Sequence, residues 1–294
     1  MPTANQPLAA GTLLQTYRIV RVLAAGGFSF VYLAHDEHDS PVAIKEYLPS
    51  SLAVRVNGAL KIEQGDLARF RAGMKCFFEE AGAIAHLEHP NIVRVLDFFR
   101  ANETAYLVMR YEGGRSLAEH IKSRRGPVEE IWMRNTFAQL SDGLREVHAR
   151  KLLHLDIKPA NVYLRDDGTP VLIDFGGARH VLSADGLKVP PTFTPGYAPP
   201  ELHANRDRLG PWSDIYSVGA TMYACLAAAA PPSAAARQEK DALLPARTAF
   251  AEKYERELLD IVDWCLELDH LRRPQSVRAL QKALLGSKPD YRPG

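Results

Sequence analysis

The chain has 294 residues, of which 46% are hydrophobic and 24% are charged, and its formal net charge is +1. This composition is typical of a globular protein, because it supplies enough apolar side chains for a sizeable core. The nearly balanced charge argues against a surface that binds nucleic acid or an acidic membrane.

The cysteines and the apolar segments indicate the compartment. Cys76, Cys225 and Cys265 lack the spacing of a metal site and cannot all form disulfides, so we expect reduced thiols. Residues 1–11 lack the basic and apolar stretches of a signal peptide. The apolar run 218–230 is too short to cross a bilayer and predicts a buried helix. We therefore expect a cytoplasmic chain without its own membrane contact.

The first part of the chain predicts a small β-rich region with one main helix. Apolar and β-branched residues predict strands at 17–23, 28–34, 42–45 and 105–111. Helical spacing predicts a helix over 70–87, which ends before His89-Pro90 because proline disfavours continuation. Between residues 54 and 62, alternation about Asn57-Gly58 predicts a tight hairpin.

From Gly113 onward the apolar pattern becomes helical. Broad apolar stripes predict helices at 128–151, 214–229, 254–268 and 274–285. The alanine-rich stretch 227–236 contains two prolines and predicts a loop between helices. The whole pattern predicts an α+β fold with a small β-rich lobe, a hinge near 109–114 and a larger α-helical lobe.

The segment from His154 to Asn161 carries the strongest chemical signal. Phosphoryl transfer to a hydroxyl requires a carboxylate to orient the hydroxyl, a nearby cation and oxygen ligands for Mg²⁺. Asp156, Lys158 and Asn161 provide these groups within six residues. A second carboxylate, Asp174, follows a predicted strand in the sequence Asp-Phe-Gly and can reach the same metal. Two ordinary surface turns are the alternative, which the combined spacing disfavours.

The pattern His-x-Asp-x-Lys-x-x-Asn followed by Asp-Phe-Gly resembles the catalytic and metal-binding loops of the protein kinase family. The resemblance implies a bilobal fold in which Asp156 is the catalytic base and Lys158 contacts the γ-phosphate. It also implies that Asn161 and Asp174 bind Mg²⁺, for which Mn²⁺ is expected to substitute. A lysine at position 158 is typical of the serine/threonine branch.

The resemblance extends to the nucleotide-binding residues. Lys45 in Val-Ala-Ile-Lys matches the lysine that holds the α- and β-phosphates of ATP, and Glu80 matches its helix partner, with Glu79 as the alternative. Met109 resembles the gatekeeper, followed by the adenine-binding hinge at 110–112. The implied ATP contacts are Ala24, Gly26, Phe28, Val31, Ala43, Lys45, Met109, Arg110, Glu112, Asn161 and Asp174.

Three further positions match structural residues of the family. The segment 194–201 resembles the end of the activation segment, where Glu201 forms a buried ion pair that Arg273 would complete. Asp214 matches the aspartate that braces the catalytic loop through backbone amides. The implied organisation is a nucleotide-binding lobe at 12–112, a catalytic and substrate-binding lobe at 113–285 and a tail at 286–294.

Two features, the glycine-rich loop and the residue before the catalytic aspartate, depart from the family pattern. The glycine-rich loop keeps Gly26 but has Ala24 and Ser29 at the outer glycine positions, which puts nucleotide affinity in doubt. Leu155 replaces the arginine that in many kinases pairs with a phosphorylated activation loop. We therefore expect activity that does not depend on that pair.

An extra segment, about 46–65, separates Lys45 from Glu80 and contains the predicted hairpin. It either positions the helix that carries Glu80 or is a surface decoration. The run Lys-Glu-Tyr-Leu-Pro at 45–49 resembles a subgroup of bacterial serine/threonine kinases, some of them associated with type VI secretion.

The resemblance implies a bacterial serine/threonine protein kinase that uses ATP. Ser183, Thr192 and Thr194 are candidate autophosphorylation sites, although Thr194 fits better as a hydrogen-bonding partner of Asp156 and Lys158. Expected partners are protein substrates and forkhead-associated domain proteins that read phosphothreonine, but not nucleic acid. A pseudokinase that only binds nucleotide and a small-molecule phosphotransferase are the alternatives. A longer protein with a membrane anchor is compatible with the sequence.

Overall fold

The computed structural model describes residues 5–175, 179–180, 194–204 and 206–286. The described residues fall into two compact units. Residues 5–88 and 93–112 form the first unit, and the second contains residues 89–92 together with the described residues from 113 onward.

The first unit is built mainly from strands. These strands are β1 (Leu13–Leu14), β2 (Tyr17–Ala25), β3 (Ser29–His35), β4 (Pro41–Tyr47), β5 (Ala53–Val56), β6 (Ala59–Ile62), β7 (Val95–Ala101) and β8 (Thr104–Arg110). Helix α1 (Leu67–Ile84) lies between β6 and β7 in the chain. The β-rich region with one main helix that the sequence predicts is therefore confirmed.

Six of these strands form one antiparallel sheet in the order β1-β2-β3-β4-β8-β7. In β4 the register places Lys45 opposite Val31 of β3 and Leu107 of β8. Because side chains alternate along a strand, Lys45 and Glu46 point to opposite faces of the sheet. Lys45 faces α1, where its Nζ lies 5.8 Å from the ring centroid of Phe77.

Strand β4 is longer than the sequence pattern predicts. Glu46 pairs with Phe30 and Tyr106, and Tyr47 pairs with Ser29, so the ladder continues past Lys45. The strand predicted at 42–45 therefore extends to Tyr47, and the first two residues of the extra segment belong to β4. The reason is cross-strand pairing, which depends on partners distant in the sequence.

Tyr47 joins the end of β4 to helix α1. Its ring packs against Phe70 and Phe77 of the helix, at centroid distances of 5.2 and 5.7 Å. Gly73 leaves space for the tyrosine hydroxyl, because a Cβ at that position would overlap with Tyr47. The strand that carries Lys45 and the helix are therefore packed directly together.

Strands β5 and β6 form a separate hairpin. Its turn residues, Asn57 and Gly58, have φ values of 51° and 80°, the left-handed region that a primed hairpin turn requires. Asparagine and glycine adopt this region at low cost, so the hairpin predicted from this pair is confirmed.

The second unit is mostly helical. Its strands are β9 (Gly114–Ser116), β10 (Leu152–Leu153), β11 (Val162–Arg165), β12 (Pro170–Leu172) and β13 (Arg179–His180). Its described helices are α2 (Leu117–Ser123), α3 (Glu130–Ala149), α4 (Pro200–Ala204), α5 (Pro211–Ala227), α6 (Ala234–Glu239), α7 (Ala246–Ala249), α8 (Arg256–Cys265) and α9 (Val277–Leu284). Strands β9, β11 and β12 form a small sheet, and β10 pairs with β13.

Helix α5 forms the centre of the helical unit, where residues 213–226 are all buried. Gly219 allows close packing against α8, because a Cβ there would overlap with the Cβ of Cys265. The loop predicted at 227–236 is shorter than expected: α6 begins at Ala234, where the Ser233 hydroxyl caps the helix by accepting from the Ala236 N–H. Among the described residues, no helix is both long and apolar enough to cross a bilayer.

Candidate active site

The predicted catalytic loop follows β10 and is held by a buried aspartate of α5. The carboxylate of Asp214 accepts hydrogen bonds from the backbone N–H groups of His154 and Leu155, at 2.9 and 2.7 Å. His148, near the end of α3, contacts the same carboxylate through Nε2 at 2.7 Å. The predicted brace through backbone amides is confirmed.

The brace stabilises an unusual backbone conformation. Leu155 has a φ of 59°, a left-handed conformation that is costly for a leucine. Burial by itself would raise the pKa of Asp214. The hydrogen bond and the charge of His148 lower this pKa, and so does the hydrogen bond from the Leu155 N–H. Together these contacts outweigh burial, so the pKa lies below its usual value. The carboxylate therefore stays charged where the strained turn needs an acceptor.

The side chain of Leu155 is buried in an apolar cluster. Its neighbours are Leu153 of β10, Ala198 and Leu202, with Leu209 packed at the edge. Contacts of this kind tie the catalytic loop to the 198–202 segment without any charged group. Position 155 therefore takes part in apolar packing and offers no charged group to a phosphorylated residue.

Four side chains converge directly after the strained turn. Lys158 Nζ donates to Asp156 Oδ2 at 2.7 Å and to Thr194 Oγ1 at 2.8 Å. The Thr194 hydroxyl donates to Asp156 Oδ1 at 3.2 Å, and Asn161 Nδ2 donates to Asp156 Oδ2 at 2.9 Å. The hydrogen bonds predicted for Thr194 are confirmed, and they engage its hydroxyl. Ser183 and Thr192 lie outside the described residues.

Asn161 and Asp174 come together through the backbone. The N–H of Ile173 donates to the Asn161 carbonyl at 2.9 Å, so Asp174 directly follows a residue that is bonded to Asn161. Asp174 has a φ of 60°, and the ring of the next residue, Phe175, packs against the His154 ring in a tilted arrangement with a centroid distance of 4.5 Å. The left-handed backbone conformation of Asp174 and the burial of Phe175 together fix the direction of the chain at this point.

The donor set fits Mg²⁺. The Asn161 amide nitrogen donates to the Asp156 carbonyl and carboxylate at 2.9 Å, so the amide oxygen is directed away from Asp156. One amide oxygen and the carboxylate of Asp174 match the way in which Mg²⁺ binds one or two protein oxygens together with phosphate oxygens. Within the described ranges, no cluster of three or more His, Cys, Asp or Glu residues suggests a different metal site.

The first unit carries most of the predicted nucleotide contacts. Ala24, Gly26 and Phe28 are exposed, whereas Val31 and Ala43 are partly buried. Met109 is buried at the end of β8, with Arg110 exposed and Glu112 partly buried after it. The Arg110 N–H donates to the Arg94 carbonyl at 2.9 Å and is therefore not available to adenine.

Helix α1 distinguishes the two candidate partners of Lys45. Glu79 is exposed and pairs with Lys75 at 3.5 Å on the outer side of the helix. Glu80 is partly buried, and Lys45 is almost fully buried. This placement supports the choice of Glu80, whose role remains a prediction.

A buried network that the sequence did not reveal lies on the opposite face of β4. Arg55 of the hairpin donates to both carboxylate oxygens of Glu46, and Tyr32 and Tyr106 donate to the same oxygens at 2.7 and 2.6 Å. Both charged side chains are at least 98% buried. The surface-decoration interpretation of the extra segment is therefore wrong. The sequence pattern could not reveal this ion pair, because a glutamate and an arginine are each normally expected to lie at the surface.

Comparison with known proteins decides the family. A family model described as a protein kinase domain matches residues 17–285. The chain belongs to the protein kinase family. The curated relatives are serine/threonine-protein kinases, and the kinase domain of this chain is of that type.

Two relatives and one solved structure illustrate the similarity. Serine/threonine-protein kinase Nek3 of Mus musculus is 32% identical over 212 residues, which cover 71% of this chain and 37% of Nek3. Serine/threonine-protein kinase D of Synechocystis sp. is 28% identical over 284 residues, 92% of this chain and 52% of that kinase. The PpkA-294 apo form has a TM-score of 0.84 at 31% identity, covering 95% of this chain and 99% of the other. The kinase domain thus spans about half or less of the length of these two relatives.

Proposed function

We propose that this chain transfers the γ-phosphoryl group of ATP to serine and threonine hydroxyls of protein substrates and phosphorylates itself. The observation that carries the proposal is the Thr194 hydroxyl, which donates to Asp156 and accepts from Lys158. The same two groups can hold an alcohol with its proton toward a carboxylate and its oxygen near a cation. Phosphoryl transfer to a hydroxyl needs this arrangement.

Each polar group of the loop has a distinct role in the proposal. Asp156 orients the substrate hydroxyl and accepts its proton, while Lys158 neutralises charge on the transferring phosphoryl group. Asn161 and Asp174 hold Mg²⁺, or Mn²⁺ in its place, and the metal neutralises the phosphate oxygens when bound. Asp214 is a positioning residue, because it acts through the backbone of His154 and Leu155.

The same proposal assigns functions to the two parts of the chain. Residues 12–112 bind the nucleotide. Lys45, paired with Glu80, contacts the α- and β-phosphates, and the backbone at 110–112 contacts adenine. Residues 113–285 carry the catalytic loop, the activation segment and the substrate groove, and residues 286–294 form a tail. The exposed Gly26 and Phe28 support a phosphate-binding role for the first part.

Replacement of Asp156 by Ala tests the activity. The wild-type chain with Mg²⁺-ATP should incorporate phosphate into itself and into a generic protein acceptor, and D156A should lose activity by roughly 10²- to 10⁴-fold. Incorporation by the wild type no greater than by D156A would overturn the proposal and favour a pseudokinase, for which the altered glycine-rich loop is the supporting feature. Phosphate appearing only on a small alcohol or aminoglycoside would favour a small-molecule phosphotransferase instead.

The biological setting is part of the same proposal. The Lys-Glu-Tyr-Leu-Pro run supports a bacterial signalling kinase associated with type VI secretion, with forkhead-associated domain proteins as readers of its phosphothreonines. Free thiols at the buried Cys225 and Cys265 support a cytoplasmic location. Mass spectrometry after incubation with ATP tests Ser183, Thr192 and Thr194 as phosphorylation sites, with Thr192 the expected one.

A further inference from the structure

The chain segment after Lys45 holds the tip of the glycine-rich loop. The Ser50 N–H and hydroxyl donate to the Gly27 carbonyl at 2.8 and 3.1 Å, and the Leu48 N–H donates to the Phe28 carbonyl at 2.9 Å. Within the loop, the Gly26 N–H donates to the Ser29 carbonyl at 2.9 Å. Three hydrogen bonds from residues 48–50 therefore restrain two adjacent peptide units at the tip.

These bonds determine where the loop presents its N–H groups. In a planar trans peptide the carbonyl and the following N–H point in opposite directions. Because the carbonyls of Gly27 and Phe28 are directed at residues 48–50, the N–H groups of Phe28 and Ser29 are directed away from them. Backbone N–H groups held in this way form a site for an anion such as phosphate. At this loop, which has Ala24 and Ser29 in place of two glycines, the direction of these N–H groups is therefore set by contacts from residues 48–50.

The segment that restrains the loop is itself anchored by the Glu46–Arg55 pair. Each Glu46 oxygen accepts one hydrogen bond from Arg55 and one from a tyrosine, which satisfies the four acceptor positions of a carboxylate. The Arg55 backbone N–H donates to Asn5 Oδ1 at 2.7 Å, so the N-terminal segment also holds the hairpin. The hairpin therefore fixes the chain on both sides of residues 48–50.

We propose that Ser50 and the Glu46–Arg55 pair are positioning residues that orient the glycine-rich loop for the phosphates of the nucleotide. This inference rests on the proposed kinase function for the identity of the ligand. It gives a role to the extra segment between Lys45 and Glu80. In this role the segment holds the phosphate-binding loop by its carbonyl groups, on the side away from the N–H groups of Phe28 and Ser29. No residue of the pair touches the nucleotide in this scheme.

Ser50 provides the sharpest test, because its side chain is exposed and its replacement should not affect folding. The dissociation constant of Mg²⁺-ADP, measured by calorimetry, and the KM for ATP should both rise about three- to tenfold in S50A, as expected for one lost hydrogen bond. The kcat and the melting temperature should stay near the wild-type values. S50T, which keeps the hydroxyl, should restore affinity, and S51A, at the neighbouring exposed serine, should match the wild type. Wild-type affinity in S50A would overturn the role of Ser50.

Arg55 tests the anchor separately. R55M should weaken Mg²⁺-ADP binding at a temperature well below its melting point, with R55K intermediate. A lower melting temperature with unchanged nucleotide affinity would show that the pair only stabilises the fold, which would overturn its positioning role. If the wild type binds Mg²⁺-ADP in a Ser50-dependent manner but transfers no phosphate, the kinase proposal fails while this inference stands.

Discussion

Arg273 donates two hydrogen bonds to the carboxylate of Glu201, at 2.8 and 3.1 Å, in a bidentate ion pair that is almost completely buried. The Ser213 hydroxyl donates to the same carboxylate at 2.7 Å, and the guanidinium lies 4.8 Å from the ring centroid of Tyr216. Helix α4 and the chain before α9 are thereby tied to α5. The buried pair implied by the family resemblance is confirmed.

Breaking this pair should strongly destabilise the helical unit. Removing one partner leaves the other charge buried, so E201A should lower the free energy of unfolding by about 3–5 kcal/mol in chemical denaturation. The matched control is R256A, which breaks the exposed pair between Arg256 and Asp260 and should cost no more than about 1 kcal/mol. Equal effects of the two substitutions would contradict a special role for burial.

Replacing Thr194 should impair the chemical step. In T194V the hydrogen bonds to Asp156 and Lys158 are lost, and bonds to charged groups contribute roughly 1.5–3 kcal/mol. We expect kcat for a peptide substrate to fall about 10- to 100-fold, corresponding to that energy. T194S keeps the hydroxyl and should retain most activity. A kcat for T194V equal to that of the wild type would show that the hydroxyl is not needed.

Replacing Thr192 should have little effect on activity. Leu155 carries no charge and packs against Ala198 and Leu202, so the usual pairing with a phosphorylated loop residue has no partner at this position. T192A, assayed beside the wild type after equal incubation with ATP, should keep most of the phosphotransfer activity. A near-total loss would indicate that a basic residue elsewhere in the chain binds a phosphate on Thr192.

Stability should fall as the pH drops below about 6.5 because of His154. Its side chain is completely buried, and burial lowers its pKa below 6.5 even though the charges of Asp214, Asp156 and Asp174 oppose the shift. The unfolded state therefore binds a proton near pH 6.5 while the folded state does not. The free energy of unfolding decreases on acidification by at most about 1.4 kcal/mol per pH unit from this group.

Denaturant unfolding of H154N between pH 7.5 and 5 tests this prediction, because asparagine keeps an acceptor for the Asp156 N–H, which lies 3.3 Å from His154 Nδ1. The decrease in the free energy of unfolding should be shallower in H154N than in the wild type. Parallel profiles for the wild type and H154N would exclude His154 as the titrating group.

The sequence by itself indicated the family, the order of a strand-rich part before a helical part, and the groups that carry the proposed chemistry. Asp156, Lys158 and Asn161 lie within one short segment, so their spacing alone predicts that they meet. The Asn57-Gly58 turn is equally local, since it follows from the φ values those two residues accept. Apolar periodicity likewise located the main helices to within a few residues.

Only the tertiary structure showed which contacts the extra segment makes. Glu46 and Arg55 are nine residues apart, yet they meet only because β5 folds back over the face of the sheet opposite Lys45. The sequence pattern places charged residues at the surface, and burying the Glu46 carboxylate becomes acceptable only because Arg55 and two tyrosines donate hydrogen bonds to it. The same holds for residues 48–50, whose contacts with Gly27 and Phe28 follow from strand register. Such contacts depend on where distant parts of the chain come together in space, which local composition does not specify.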